Sequence, residues 1–434
     1  MVTESRDDAV RRTLDAVWRM EAPRLVAVLT RMVRDVGRAE DLAQDAFEAG
    51  LRQWPIEGIP ERPAAWLMVT AKRRAVDSLR RQTTLQKKID EIGRDLGLAN
   101  DHALDLDITA DEDGFGDDLL RLLFICCHPV LSVDARVALT LRLLGGLRTD
   151  EIARAFLVSE ATIGQRIVRA KRTLSEAHVP FEVPEGPDFE ARLASVLQVI
   201  YLVFNEGYSA TSGDDWVRPA LCEEALRLGR VLAGLVPNGA EVHGLVALME
   251  IQGSRIRART DLVGRPIPLL EQNRARWDHL LIDRGMVALS RAQSFGGVDG
   301  PYVLQAAIAA CHARARTADA TDWSRIVALY DALVESAPSP IVELNRAVAV
   351  SMAYGPAAGL ELVEALAAEP SLQAYHLLPA VRGDFLVKVG WFDEAAVELA
   401  RAASMTQNLP ERNLLLERAD AAGRILSAEL GTET

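Results

Sequence analysis

The sequence predicts an all-α protein: two small helical modules joined by a flexible acidic linker, then a longer half ending in helical repeats. Three observations predict it. Apolar residues recur at three- and four-residue steps, as in Leu25, Val28, Leu29, Met32 and Val33 and again in Leu42, Ala46, Phe47 and Leu51, the period of an amphipathic helix. Strand-type alternation bounded by turns is almost absent. Trp323, Ala357 and Trp391 share a 34-residue spacing, the period of a repeated helix–turn–helix unit.

Composition narrows the class. A chain of 434 residues is a prior for about three domains, and 49% hydrophobic residues suit folded cores. The longest nearly apolar run, Val196 to Phe204, falls far short of the roughly 20 residues a membrane helix needs. No basic, then apolar, then small-residue leader opens the chain, so neither a membrane partner nor an export signal is expected. Four cysteines in so long a chain make no disulfide framework, and a reducing cytoplasm is the expected location.

The net charge of −13 argues weakly against a nucleic-acid coating protein, but averages hide local patches. Residues 1–84 carry 15 basic and 13 acidic groups and residues 119–180 carry 9 and 5, so both are net basic. Asp101 to Asp118 holds eight acids and no Lys or Arg. With Gly114, Gly116 and no apolar period, the stretch 85–118 reads as a solvated linker. Residues 181–434 hold 22 basic against 33 acidic groups. The turn-rich stretch from Val179 to Pro187 marks the boundary before this acidic half.

In the first module, residues 1–84, the segment Glu40 to Phe47 has two faces. Leu42, Ala46 and Phe47 form the apolar one, while Glu40, Asp41, Gln44, Asp45 and Glu48 form an acidic polar one. Taken alone, that pattern also belongs to any solvated amphipathic helix. The segment Pro63 to Arg81 opens with a proline suited to the first helical position. Trp66, Leu67, Thr70, Arg74, Ser78 and Arg81 follow helical steps, and Lys72, Arg73, Arg74, Arg80 and Arg81 make it basic. Basic groups along a helix supply phosphate contacts, and a neighbouring aromatic can stack on an unstacked base. Trp66 as a core anchor beside a solvated stripe is the other reading.

The second module, 119–178, reads as a helix-turn-helix. Leu131 to Asp134 opens a helix with Val137, Ala138, Leu141 and Leu144 inward, and Gly145-Gly146 ends it. Thr149 is placed to cap a short helix from Asp150 to Phe156, burying Ile152, Ala153 and Phe156. Leu157-Val158-Ser159 is the turn, with Ser159 as N-cap. The next helix buries Ile163, Ile167 and Ala170 and presents Glu160, Thr162, Gln165, Arg166, Arg169, Lys171 and Arg172. A short helix, a turn and a basic second helix form a major-groove reader, in which Arg suits guanine and Gln suits adenine. A helical hairpin without function is the alternative.

Together these pieces resemble a bacterial sigma factor of the extracytoplasmic-function type, over residues 1–178 and in order. By that resemblance Glu40, Asp41, Gln44 and Asp45 contact core RNA polymerase, on the clamp of the β′ subunit, with the β subunit as a further partner. Trp66, Lys72, Arg73, Arg74, Ser78, Arg80 and Arg81 hold and help melt the minus-ten promoter element. The loop Trp54 to Pro63 captures a flipped-out base, at a cost of a few kcal/mol offset by stacking and hydrogen bonds. Thr162, Gln165, Arg166, Arg169, Lys171 and Arg172 read the minus-thirty-five element. Gly164-Gln165 departs from the family, which commonly carries Lys or Arg followed by Ser there; a guanine contact worth roughly 1–3 kcal/mol is lost, and the upstream sequence read is left open.

The connector 179–187 leads to a helical extension over 188–295, with the buried-type run Val196 to Phe204 ending in Asn205-Glu206-Gly207-Tyr208. Asn205 and Glu206 read as a cap or packing pair, with a binding site as the alternative. Residues 296–434 are read as tetratricopeptide-like repeats, which bury their apolar faces against neighbours. Pro338, Pro370 and Pro410 punctuate them, and Leu386 to Ala403 is the best copy. The whole chain resembles the sigma-factor subgroup with such a C-terminal extension, and an intramolecular contact between the acidic half and the basic modules is expected from their charges.

No catalysis, cofactor or metal is expected. Cys126-Cys127-His128 lacks C-x-x-C spacing and reads as buried thiols, and no phosphate-binding loop, dinucleotide fingerprint or nucleophile elbow occurs. Two other classes stay open at this point. A stand-alone helix-turn-helix regulator with a repeat-based sensor leaves the acidic helix and the Trp66–Arg81 segment unexplained, and a protein-interaction scaffold makes both basic helices mere solvated faces.

Overall fold

Helices follow the apolar spacing along the chain. The computed structural model describes residues 6–95 and 115–432, which divide into Met1–Val199 and Ile200–Thr434. The division falls inside a continuous helix.

The first unit contains α1 (Arg6–Val33), α2 (Val36–Glu57), α3 (Pro63–Asp95), α4 (Phe115–Cys126), α5 (Val133–Leu143), α6 (Thr149–Ala155), α7 (Glu160–Glu176) and the first half of α8 (Pro187–Tyr208). Asp35 caps α2 by accepting the Arg38 N–H at 2.8 Å. Leu25 and Leu29 of α1, Ala39, Ala43 and Ala46 of α2, and Leu67, Ala71 and Ala75 of α3 are buried together, and Trp18 meets Phe47 edge-on at 4.3 Å. Helix α1 also packs on α4, so the two predicted modules meet.

Three expectations change here. Helix α3 continues to Asp95 and α4 starts at Phe115, so the stretch 85–118 has helix at both ends; its centre, residues 96–114, lies outside the described residues. Asp118, read as part of a solvated acidic run, is buried. It accepts a hydrogen bond from Arg121 at 2.9 Å and lies 3.4 Å from Arg31 of α1. Burial pushes its carboxyl above the usual range despite both arginines. Trp54, placed in a base-capturing loop, belongs to α2 and is among the largest fully buried side chains. The Gly58 N–H closes that helix on the Trp54 carbonyl at 2.9 Å, which narrows the loop to 58–62.

The second unit runs from Ile200 in α8 through α9 (Pro219–Leu235), α10 (Ala240–Gly253), α11 (His279–Ser294), α12 (Pro301–Arg314), α13 (Trp323–Ser336), α14 (Pro340–Tyr354), α15 (Pro356–Leu366), α16 (Leu377–Val389), α17 (Phe392–Met405) and α18 (Leu409–Thr432). Each helix from α9 onward packs on the next, a helical-repeat arrangement. The 34-residue period is in phase with it: Trp323 starts α13, Ala357 lies in the first turn of α15, and Trp391 caps α17. Between α16 and α17, Gly390 adopts φ 88, a left-handed C-cap that suits glycine. Leu344, Leu360, Val363, Phe385 and Leu386 form one core cluster.

A small feature without helical period completes this unit. Ser212–Gly213 (β1) and Gln407–Asn408 (β2) pair in parallel. The fully buried Asn408 side chain donates to the Ala210 carbonyl at 3.0 Å and the Asp215 carbonyl at 2.9 Å. Among the described residues no helix is long and apolar enough to cross a membrane.

Candidate nucleic-acid interface and polymerase-facing helix

The basic face of α3 is formed as expected. Ala71, Ala75 and Leu79 point inward, which by helical geometry turns Arg73, Arg80 and Arg81 outward, and these are exposed; Lys72 is half-buried. Arg74 is half-buried and lies 3.5 Å from Asp45 of α2. Ser78 accepts a hydrogen bond from Arg38 at 2.8 Å, so its hydroxyl ties α3 to α2. Trp66 is half-buried and meets the sealed Trp54 ring edge-on at 5.5 Å. Both readings of Trp66 therefore have a basis: one edge rests on core and one is open. Ile56, at the end of α2, and Ile59, in the loop 58–62, are exposed at 80% and 40%.

The reader helix α7 is likewise built from its buried side outward. Ile163, Ile167, Ala170 and Leu174 anchor it, and Ser159 caps it by accepting the Thr162 N–H at 3.1 Å. Helix α6 begins one residue earlier than the sequence suggested, with Thr149 inside it. The Arg148 N–H donates to the Glu151 carboxylate at 2.8 Å, replacing the expected threonine cap, and Phe156 is only half-buried. Thr162, Gln165 and Arg169 are exposed. Arg166 lies 3.2 Å from Asp134, and Arg172 is held by Glu176 at 2.6 Å. A cavity of about 360 Å³ between α5 and α7 is lined by Ser132, Ala135, Thr162, Gln165, Arg166 and Arg169.

The acidic face of α2 departs most from expectation. Asp41 and Asp45 are exposed and Gln44 half-exposed, but Glu40 is buried. Its carboxylate accepts from Gln44 at 2.9 Å and from Arg142 of α5 at 2.7 Å, and it is ion-paired with Lys171 of α7. Burial raises the Glu40 carboxyl, but the Lys171 and Arg142 charges outweigh it and hold the group below its usual range. Nearby, Ser175 donates to Asp35 at 3.0 Å. Lys171, assigned to DNA by sequence, thus faces α2. The reason is its place on α7: it neighbours the buried Ala170 and Leu174 side, turned from Arg169 and Arg172.

The sequence matches Sigma-70 region 2 over residues 17–84 and Sigma-70, region 4 over residues 121–174. Over 171 residues it is 30% identical to the probable ECF RNA polymerase sigma factor SigI of Mycobacterium tuberculosis, covering 39% of this chain and 57% of that protein. Over 156 residues it is 28% identical to the ECF RNA polymerase sigma factor SigK of Mycobacterium ulcerans, covering 35% and 78%. The chain belongs to the extracytoplasmic-function sigma factors. This sigma factor therefore has core RNA polymerase and promoter DNA as its partners. It also matches a family of unknown function, DUF6596, over residues 192–293, where the long extension begins. An uncharacterized protein of Rhizobium meliloti, R00370, is 42% identical to it over 392 residues, 90% of this chain and 91% of that one. The crystal structure of the yeast Tom70 aligns over 98% of this chain and 89% of that one, at 12% identity and a TM-score of 0.32.

Sequence reasoning missed how the sigma factor's extension starts. Arg192 of α8 donates to the Phe124 carbonyl at 2.8 Å, and Ser195 donates to the Cys127 carbonyl at 2.8 Å while accepting from Arg136 at 2.9 Å. Phe189 meets Phe124 edge-on at 5.5 Å. The only signal was the apolar run downstream, which carries no information about its partner. Cys126 and Cys127 are buried free thiols, Cys127 raised to about 11 by burial and in contact with the Thr140 hydroxyl of α5 at 3.5 Å. Asn205 lies in the last turn of α8, and Glu206 accepts from Thr211 at 3.0 Å and pairs with Arg218, a packing role.

Proposed function

We propose that this sigma factor docks on the β′ clamp through the outer face of α2, with Asp41, Gln44 and Asp45 in first contact, and that the β subunit receives its helix-turn-helix module. Residues 1–84 act as region 2 and 119–178 as region 4, with 188–295 and 296–434 as the extension. Trp66, Lys72, Arg73, Arg74, Arg80 and Arg81 serve the minus-ten element, with Ser78 positioning Arg38. Thr162, Gln165, Arg166, Arg169 and Arg172 serve the minus-thirty-five element.

The observation that carries this reading is the Glu40 cluster. One carboxylate of the proposed polymerase face is paired with a cation of the proposed DNA-reading helix, so each surface is partly withheld by the other. In our reading this arrangement is a closed state, and core polymerase opens it by replacing Arg142 and Lys171 as the partners of Glu40. In our reading the first half of α8, within the first unit, braces the reader module through its contacts to α4 and α5.

Promoter selection from a randomised fragment library, read by run-off transcription with purified core polymerase, tests the function. Asp41→Ala with Asp45→Ala is expected to weaken core binding, and Arg169→Ala to lower promoter-dependent output with core binding intact. Tight binding to a specific duplex without core polymerase, together with no affinity for the core, would replace this reading with a stand-alone regulator. Full output from the Arg166→Ala, Arg169→Ala double variant would leave a scaffold.

A further inference from the structure

The second unit contains a cationic cluster outside both sigma-70 regions. After α10, the chain turns through Arg255 and Arg259, and both guanidinium groups lie over the Tyr208 ring, with their carbons 5.7 and 3.8 Å from its centroid. Arg259 also sits 5.4 Å from the Trp216 ring and Arg255 5.8 Å from Trp277, which Arg274 covers at 5.0 Å. Three arginines are thus clamped among three aromatic rings.

Their hydrogen-bond partners separate them into two kinds. Arg274 is committed, donating to the His312 and Ala315 carbonyls and to the Thr321 hydroxyl. Arg255 and Arg259 donate to no described residue, and no described carboxylate pairs with either; their Nε atoms are sealed from solvent without a partner. Trp277 Nε1 and His312 Nδ1 are sealed and unpartnered as well. Arg255, Trp277 and His312 are 8%, 4% and 8% exposed. Elsewhere in this unit the enclosed Arg218 is answered by an acid, Glu206.

A buried guanidinium without an acceptor is costly, and here the buried Arg255 has a second, half-buried guanidinium, Arg259, over the same ring. His312 beside the cluster is pushed down to about 4 by burial and by the Arg255 and Arg274 charges. Cation–π contact holds the planes of Arg255 and Arg259 but leaves their edge N–H groups to donate. Such fixed forks fit oxygens of a doubly charged tetrahedral anion better than a single carboxylate, which leaves one positive charge unanswered.

We propose that this arginine–aromatic cluster is a binding site for a phosphoryl group, with Arg255 and Arg259 taking its oxygens and Tyr208, Trp216 and Trp277 holding the two forks. The site belongs to the extension and stands or falls independently of the promoter-reading assignments.

Calorimetric titration and thermal unfolding of the full chain test it. The probes are inorganic phosphate, pyrophosphate and adenosine monophosphate, against chloride at equal ionic strength and adenosine. Saturable binding with a raised Tm is expected for at least one probe. Binding of phosphate or pyrophosphate alone assigns a free anion; binding of adenosine monophosphate in preference to both phosphate and adenosine assigns an ester. Arg259→Gln, at the more open position, is expected to weaken that binding roughly tenfold or more. Arg255→Met is expected to abolish it while leaving the ligand-free Tm equal or higher, because an unanswered buried charge has gone. The proposal is overturned if no probe binds saturably, or if binding survives Arg259→Gln unchanged. A lowered ligand-free Tm in Arg255→Met with no response of the parent chain would make Arg255 a structural cation instead.

Discussion

Glu40 has two demands on it. As a member of an acidic helix face it suits a basic partner surface, and as a buried carboxylate it requires the Arg142 and Lys171 charges that surround it. Removing one member of such a buried group leaves the rest unanswered, so Glu40→Ala is expected to destabilise the first unit by roughly 3–5 kcal/mol, read as a lowered midpoint in urea. Apolar replacement of Glu40, Arg142 and Lys171 together should recover most of that loss. The pH response has a definite sign. The folded carboxyl titrates below its ordinary range, so its contribution is fully present above that range and is lost as pH falls through the folded value. The acidity of this helix was legible from Glu40 to Glu48. The burial of Glu40 was not, because Arg142 is 102 residues away in the chain and no local pattern encodes that distance.

At the scale of elements, caps and docking contacts set the presentation of the DNA-facing helices. Ser159 fixes the first turn of α7, whose Thr162 and Gln165 follow directly. Ser159→Ala is expected to cost about 1 kcal/mol and to weaken minus-thirty-five binding more than core binding, measured by fluorescence anisotropy on promoter duplex and on core. That cap was readable from sequence. Gly390 closes α16 with a left-handed φ of 88, and Gly390→Ala is expected to cost roughly 1–2 kcal/mol. The α8 brace was not readable. Arg192 satisfies a carbonyl on α4, and Arg192→Ala is expected to cost roughly 1–3 kcal/mol, seen as faster amide exchange across α4 and α5. The loop at 58–62 was located only approximately, because Pro55 near the end of a helix looks like a helix stop until Trp54 is seen to be buried.

For the whole molecule, the partition of charge has the clearest bearing. The net charge of −13 conceals two basic modules, each with an exposed basic helix, and an extension that carries its own arginine–aromatic cluster. Within the second unit, one side chain joins segments far apart in sequence. Asn408 satisfies carbonyls at Ala210 and Asp215, and Asn408→Ala leaves the buried Ala210 acceptor unmet at a cost of roughly 1–3 kcal/mol, expected as a lower thermal midpoint with helix content retained below it. The sequence by itself determined the helical class, the order of the two sigma modules, the reader helix with its cap and the 34-residue phase of the repeats. Each is written in local spacing, charge or turn chemistry. Tertiary structure alone decided that Glu40 and Lys171 face each other, that Trp54 is core, that α8 braces α4, and that Arg255 and Arg259 share one aromatic ring. Those outcomes depend on which distant side chains end up within a few ångströms, and on whether a buried charge meets an opposite one.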